Sequence, residues 1–229
     1  MFRFAYARMP DRNIQRYVKE DSGLSGLVAS KLTCIKRDRV LFEDLSFQLL
    51  PGQLIYLRGP NGAGKTSLLR ILSGLSQPQS GSLLWQGKPL GEDWFASLIY
   101  IGHKAGINGT LSPLENLQFW CAQHKVSFNE DNLYDVLALV GLVGMEDVPC
   151  RTLSAGQLRR AALARLWLKQ ADVWILDEPF TALDTRGVAQ LEEKMCEHVS
   201  NGGAVLTTSH QTLSHRAGGY QAFDLEYRF

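Results

Sequence analysis

The chain has no C-x-x-C pair. Cys34, Cys121, Cys150 and Cys196 are widely spaced, which disfavours a zinc site, a dithiol redox motif or covalent haem attachment. Free, buried thiols are the expectation. No run approaches the roughly 18 to 20 consecutive apolar residues needed to cross a bilayer, so no membrane span is expected. Charge of one sign is lacking too: 24 Lys and Arg against 23 Asp and Glu leave a formal net charge of +1, with no basic stripe to attract nucleic acid. Internal repeats and low-complexity tracts are absent. Residues 1–26 lack the apolar stretch of a signal peptide and mix Phe2, Phe4 and Tyr6 with Arg3, Arg8, Arg12 and Arg16. They are expected to be a poorly ordered extension, with a basic-aromatic membrane-surface anchor as the alternative.

What the chain does have is apolar material: 45% of its 229 residues are hydrophobic, enough for one compact unit with a large core and an inserted lobe. Regular structure should begin near Leu27. Residues 27–34 and 45–49 alternate as half-buried strands do, and Pro51-Gly52 turns the chain. Leu54-Ile55-Tyr56-Leu57, Val173-Trp174-Ile175-Leu176 and Ala204-Val205-Leu206-Thr207 are short unbroken runs, the pattern of parallel strands covered on both faces. Leu68, Leu69, Ile71 and Leu72 have helical spacing up to Gly74. Ser112-Pro113-Leu114-Glu115 is a capping-box pattern with proline at the first helical position, and Leu133, Val136, Leu137 and Val140 form a second helical stripe ended by Gly141. A mainly helical lobe, about 105–165, thus interrupts an α/β core.

Three local patterns carry chemistry. Gly59-Pro60-Asn61-Gly62-Ala63-Gly64-Lys65-Thr66 fits the phosphate-loop pattern G-x-x-x-x-G-K-[ST], and Ser67 follows it into the predicted helix. Glycines let successive backbone N–H groups converge on phosphates, the helix N-terminus adds its field, Lys65 can reach β and γ oxygens, and Thr66 can ligate Mg²⁺. Asp177 and Glu178 follow a buried strand, where acids reach the ligand edge of an α/β sheet. Asp177 suits Mg²⁺. Glu178 suits the attacking water, as general base or as orienting acceptor. Leu153-Ser154-Ala155-Gly156-Gln157 opens a further helix; alone it is a capping box, yet its N-terminus could also hold a phosphate.

In this order the three patterns resemble the ABC (ATP-binding cassette) ATPases, whose signature sequence Ser154, Gly156 and Gln157 match. Ala182-Leu183-Asp184 resembles the family's D-loop, and His210 its switch histidine, a sensor of the γ-phosphate. The likeness spans about residues 27–215. It implies an α/β P-loop NTPase of the ABC type, with a mainly parallel core, an antiparallel β subdomain and an inserted helical lobe, in one domain over 27–229. It also implies ATP and Mg²⁺ as cofactors and a head-to-tail dimer, in which the phosphate loop of one copy and Ser154 of the other enclose each ATP. Leu84-Trp85-Gln86-Gly87, Ile101-Gly102-His103, Leu114-Glu115-Asn116-Leu117 and residues 163–168 and 174–184 further resemble the haem-exporter ATP-binding subunits of cytochrome c maturation. That resemblance implies an integral membrane permease as partner, a place at the cytoplasmic face of a bacterial inner membrane, and a role in delivering haem to c-type cytochrome assembly, with haem not expected to bind this subunit directly.

Two departures accompany the likeness. Lys104 stands where the family carries a glutamine that touches metal or water, so weakened hydrolysis or coupling is expected. Lys36, Arg37, Asp38 and Arg39 include no aromatic to stack on adenine, leaving the guanidinium plane of Arg37 or Arg39 as substitute. The competing readings are a transport ATPase for another cargo, a cassette acting on nucleic acid or ribosomes, and a subunit that binds ATP without turnover. Tandem cassettes or long coiled-coil insertions would mark the second, and neither is present.

Overall fold

The structure is a computed structural model and describes residues 25–209, 214 and 217–226. In chain order, β1 (Leu27–Lys36) and β2 (Arg39–Leu49) form a hairpin, and β3 (Leu54–Arg58) runs through the phosphate loop into α1 (Lys65–Leu72). Then come β4 (Ser80–Trp85), the two-residue β5 (Lys88–Pro89), α2 (Glu92–Ser97) and β6 (Leu98–Ile101). Four helices follow, α3 (Pro113–Gln123), α4 (Glu130–Leu139), α5 (Ala155–Leu163) and α6 (Arg165–Leu168), before β7 (Val173–Leu176), α7 (Thr185–Ser200), β8 (Ala204–Thr208) and β9 (Gln221–Asp224).

The strands separate into two sheets. An antiparallel sheet has the order β2-β1-β4-β5, and a parallel one the order β6-β7-β8-β3-β9. The β1–β2 turn is two residues, Arg37 and Asp38, both left-handed at φ 49° and 60°, the conformation whose twist suits a tight hairpin.

Strand alternation explains why the parallel strands have unbroken apolar runs. Ile55, Leu57, Val173, Ile175 and Leu206 pack with α1 and the antiparallel sheet into one core. Leu54, Tyr56, Trp174, Leu176 and Val205 pack on the opposite face against the helical lobe and α7. Both faces are covered, so both are mainly apolar. The predicted helix starts are present: Ser112 and Ser154 each form a reciprocal capping box, with Glu115 and Gln157 respectively, and Pro113 is the first residue of its helix. Of the cysteines, Cys34, Cys121 and Cys150 are buried, Cys196 is partly so, and all four are free. Among the described residues no helix is long and apolar enough to cross a membrane.

Candidate active site

The parallel register brings the chemical residues to one edge. Leu57 pairs with Thr208 and Leu176 with Thr207, so the C-terminal ends of β3, β8 and β7 align. From these ends emerge the phosphate loop after Arg58 and the pair Asp177-Glu178 after Leu176. β6 ends at the same level, because Ile101 pairs with Leu176 and its carbonyl accepts the Asp177 N–H at 2.8 Å. Gly102, His103 and Lys104 therefore leave the sheet beside the acids, with His103 and Lys104 exposed.

The phosphate loop is built to keep its donors available. Gly59 sits at φ 148°, and a Cβ there would lie 2.4 Å from the Leu225 carbonyl oxygen, so only glycine fits this crossing. Gly64 precedes α1 as its N-cap with no side-chain cap, leaving the first-turn amides of Lys65, Thr66 and Ser67 free of competition from a capping side chain. Lys65 Nζ donates to the Gly59 carbonyl at 2.6 Å and to Pro60 at 3.2 Å, which folds its ammonium over the loop. Ala63 and Ser67 are buried, whereas Pro60, Asn61, Gly62 and Thr66 are exposed. An uncapped helix start with a lysine folded over it suits a phosphate chain.

Asp177 is buried at 1% exposure. Its Oδ1 accepts the Thr208 hydroxyl at 2.9 Å, while Oδ2 is buried with no hydrogen-bond partner. A carboxylate oxygen so placed is costly unless something binds it, and the exposed Thr66 hydroxyl offers a second hard oxygen. These donors fit Mg²⁺. Glu178 is half-buried and holds φ 52°, a left-handed conformation that a non-glycine residue adopts at a cost. Its N–H donates to Thr208 Oγ1 at 2.8 Å.

Ser154 and Gln157 lie at the start of α5 and are bonded to each other: Ser154 Oγ accepts the Gln157 N–H at 3.2 Å, and Gln157 Oε1 accepts the Ser154 N–H at 2.8 Å. Gly156 packs on the loop after the acids, where a Cβ would come 2.6 Å from the Ala182 carbonyl oxygen. Asp184 caps α7 by accepting the Gly187 N–H at 2.7 Å and pairs with Arg160 at 2.6 Å. The Gly187 amide, and then Arg160, hold its carboxyl below the usual range. Arg160 also donates to the Val140 carbonyl at 2.8 Å, which ties the end of α4 to this loop. His210 lies outside the described residues.

Three buried groups that matter here were not singled out from the sequence. Arg159, 5% exposed, donates to the carbonyls of Gly102 at 2.7 Å, Asp177 at 2.8 Å and Pro179 at 3.2 Å. Arg165 donates to Gly106 at 2.8 Å and Ala105 at 3.4 Å and lies over the Trp120 ring; burial pushes its guanidinium down to about 10. The two arginines grip both ends of the Lys104 loop. Thr208 is the third. The arginines' partners are backbone carbonyls, which every residue carries, so no pattern of residue types announces them.

Residues 42–181 match the family model described as ABC transporter. The cytochrome c biogenesis ATP-binding export protein CcmA of Pseudomonas fluorescens (strain Pf0-1) is 52% identical over 197 residues, covering 85% of this chain and 93% of that protein. A solved ATP-binding subunit of an ABC transporter superposes with TM-score 0.78 at 23% identity, covering 89% of this chain and 88% of that one. A dimeric ATP-binding cassette solved in a post-hydrolysis state with ADP and Pi superposes with TM-score 0.76 at 17% identity, covering 89% and 97%. At those identities the two structures speak for the fold alone.

Proposed function

The chain belongs to the ABC transporter family, and from that premise we propose that it is the ATP-binding, ATP-hydrolysing subunit of a cytochrome c biogenesis export complex. The observation that carries this is the meeting of the phosphate loop with Asp177 and Glu178 at one sheet edge, in a chain half identical along most of its length to a protein of that name. Gly59 to Ser67 would wrap the phosphate chain, with Lys65 exchanging its carbonyl partners for phosphate oxygens. Thr66 and Asp177 Oδ2 would hold Mg²⁺. Held there, the ion would offset negative charge on the phosphate chain. Glu178 would accept a hydrogen bond from the attacking water and set its line of approach, and His210 would sense the γ-phosphate.

The site of one chain is half of a pair in this reading. Two copies meet head to tail, so that Ser154, Gly156 and Gln157 of one face the ATP held by the other, with Asp184 at the junction. Support comes from the exposed start of α5 and from the dimeric cassette that shares the fold. ATP then favours the closed pair and hydrolysis releases it, a coupling that rests on different affinities for the two states. Residues 27–229 act as one cassette with about 105–165 as its helical lobe, and residues 1–26 as an extension. The working complex adds a membrane permease of the cytochrome c maturation system and places this subunit at the cytoplasmic face of the bacterial inner membrane, where it does not bind haem directly.

The test is Glu178→Gln in the purified complex. Phosphate release should fall by about a hundredfold or more, as expected when a water-orienting group is lost, while a fluorescent ATP analogue binds as before. Hydrolysis at the wild-type rate would reject Glu178 as the reacting carboxylate. The exposed Lys104 favours a second reading, binding without turnover; a wild-type complex that binds ATP and releases no phosphate would select it.

A further inference from the structure

Thr208 ends β8, the strand that lies between β7 and β3, and it is fully buried. Its Oγ1 is 2.8 Å from the Glu178 nitrogen and 2.9 Å from Asp177 Oδ1. A backbone N–H can only donate, so Oγ1 must accept from Glu178 and has its single proton left for Asp177. One oxygen thereby determines two things. The donation occupies Asp177 Oδ1 and leaves Oδ2, which is buried and has no hydrogen-bond partner, as the oxygen still able to bind a cation. The acceptance anchors the backbone of Glu178 in its left-handed conformation, φ 52°, which sets the direction in which that side chain leaves the chain. The neighbouring Thr207 shows what a strand threonine without such duties does: its hydroxyl donates to the carbonyl of Thr208, one residue along.

We propose that Thr208 is a positioning residue of the ATP site, its hydroxyl orienting the Asp177 carboxylate toward the divalent metal while holding the Glu178 backbone in the conformation that aims its carboxylate. The inference rests on the ATPase reading above. Thr208 touches neither nucleotide nor metal and works through the two acids.

Two substitutions separate the hydroxyl from the packing it fills. Thr208→Val keeps the shape and removes both hydrogen bonds; Thr208→Ser keeps the hydroxyl and removes a methyl. In the intact complex, the Mg²⁺ concentration for half-maximal ATP turnover should rise about tenfold in Thr208→Val and maximal turnover should fall about tenfold or more, the scale of one hydrogen bond to a charged group. Binding of a fluorescent ATP analogue to the purified full chain should be unchanged without Mg²⁺ and should lose most of its strengthening when MgCl₂ is added. Thr208→Ser should restore both quantities to within about threefold of wild type.

Wild-type Mg²⁺ dependence in the valine chain overturns the proposal. So does a serine chain as impaired as the valine chain, because the hydroxyl would then be irrelevant, or equal loss of binding with and without Mg²⁺, which marks a purely structural residue. If the valine chain does not fold, Thr208→Ala is judged on the same comparisons. A wild-type complex without ATP turnover rejects the parent reading instead and is recognised before any variant is made.

Discussion

Lys104 stands where the sequence resemblance to the ABC cassettes leads one to expect a glutamine. It stands exposed, two positions beyond a carbonyl held by Arg159, on the loop that leaves the sheet next to Asp177. An ammonium has three donors and no acceptor, so it can neither take a hydrogen bond from the attacking water nor ligate a cation. Replacing Lys104 with Gln should therefore raise ATP turnover of the intact complex several-fold, on the order of the factor of ten that about 1.4 kcal/mol represents. Phosphate release measured alongside wild type decides it; an unchanged rate means that another group serves in place of the glutamine. The other residues of the proposed site are legible one by one. Lys65, Thr66, Asp177 and Glu178 each occur in a short pattern whose spacing is demanded by strand, loop and helix geometry. Thr208 was not legible, because its two partners lie 30 and 31 positions earlier and a threonine at the end of a buried strand is ordinary.

At the scale of elements, α5 does more than present a capped N-terminus. Its Arg159 reaches under the sheet edge and holds three carbonyls, from the end of β6 and from the residues after β7. Arg165 of α6 grips the far end of the same loop. The helical lobe and the Lys104 loop are thus tied to each other at both ends of that loop. Substituting Arg159 by Met keeps the length and leaves three carbonyls without their donor, so the chain should lose about 2 to 4 kcal/mol, read as a lowered denaturant midpoint at unchanged slope. A midpoint equal to wild type would show that water replaces the guanidinium at no cost. The capped helices and the unbroken strands were legible because cap, stripe and run are local. The 16-residue α7 is not among the elements expected from the sequence, although Val188, Leu191, Met195 and Val199 make an inward stripe along it and Asp184 caps it. β6, Leu98–Ile101, is an unbroken apolar run of the same length as β7 and carries the same local mark, whereas β9, with Gln221 and Asp224 at its ends, carries none.

Across the whole molecule the parallel sheet separates two cores, and the one toward the helices holds an acid-sensitive joint. His198 of α7 stacks flat on Trp174 of β7, 3.8 Å between ring centres. Burial, opposed in part by hydrogen bonding to the Asp172 backbone, pushes its imidazole down from 6.5 to about 4. In the unfolded chain the ring takes up a proton below its ordinary value, while in the folded chain it does so only below the depressed one. Its contribution is therefore complete above pH 6.5, declines as pH falls toward 4 and is exhausted below that. Asp184, also depressed but from 3.8, acts only at lower pH. The thermal midpoint should fall across the upper window in wild type, and His198→Phe, which can still stack, should flatten that slope. Parallel slopes in the two chains would assign the acid sensitivity elsewhere. By itself the sequence determined the local units: a phosphate loop after a strand, two carboxylates after another, and serines that cap helices, since each depends on residues within a few positions of one another. Only the tertiary structure decided that β8 lies between β7 and β3, placing Thr208 against both acids, and that Arg159 closes on carbonyls from two strand ends. Parallel strands meet across long connections and backbone carbonyls are common to every residue, so neither the strand order nor these contacts leave a local mark in the sequence.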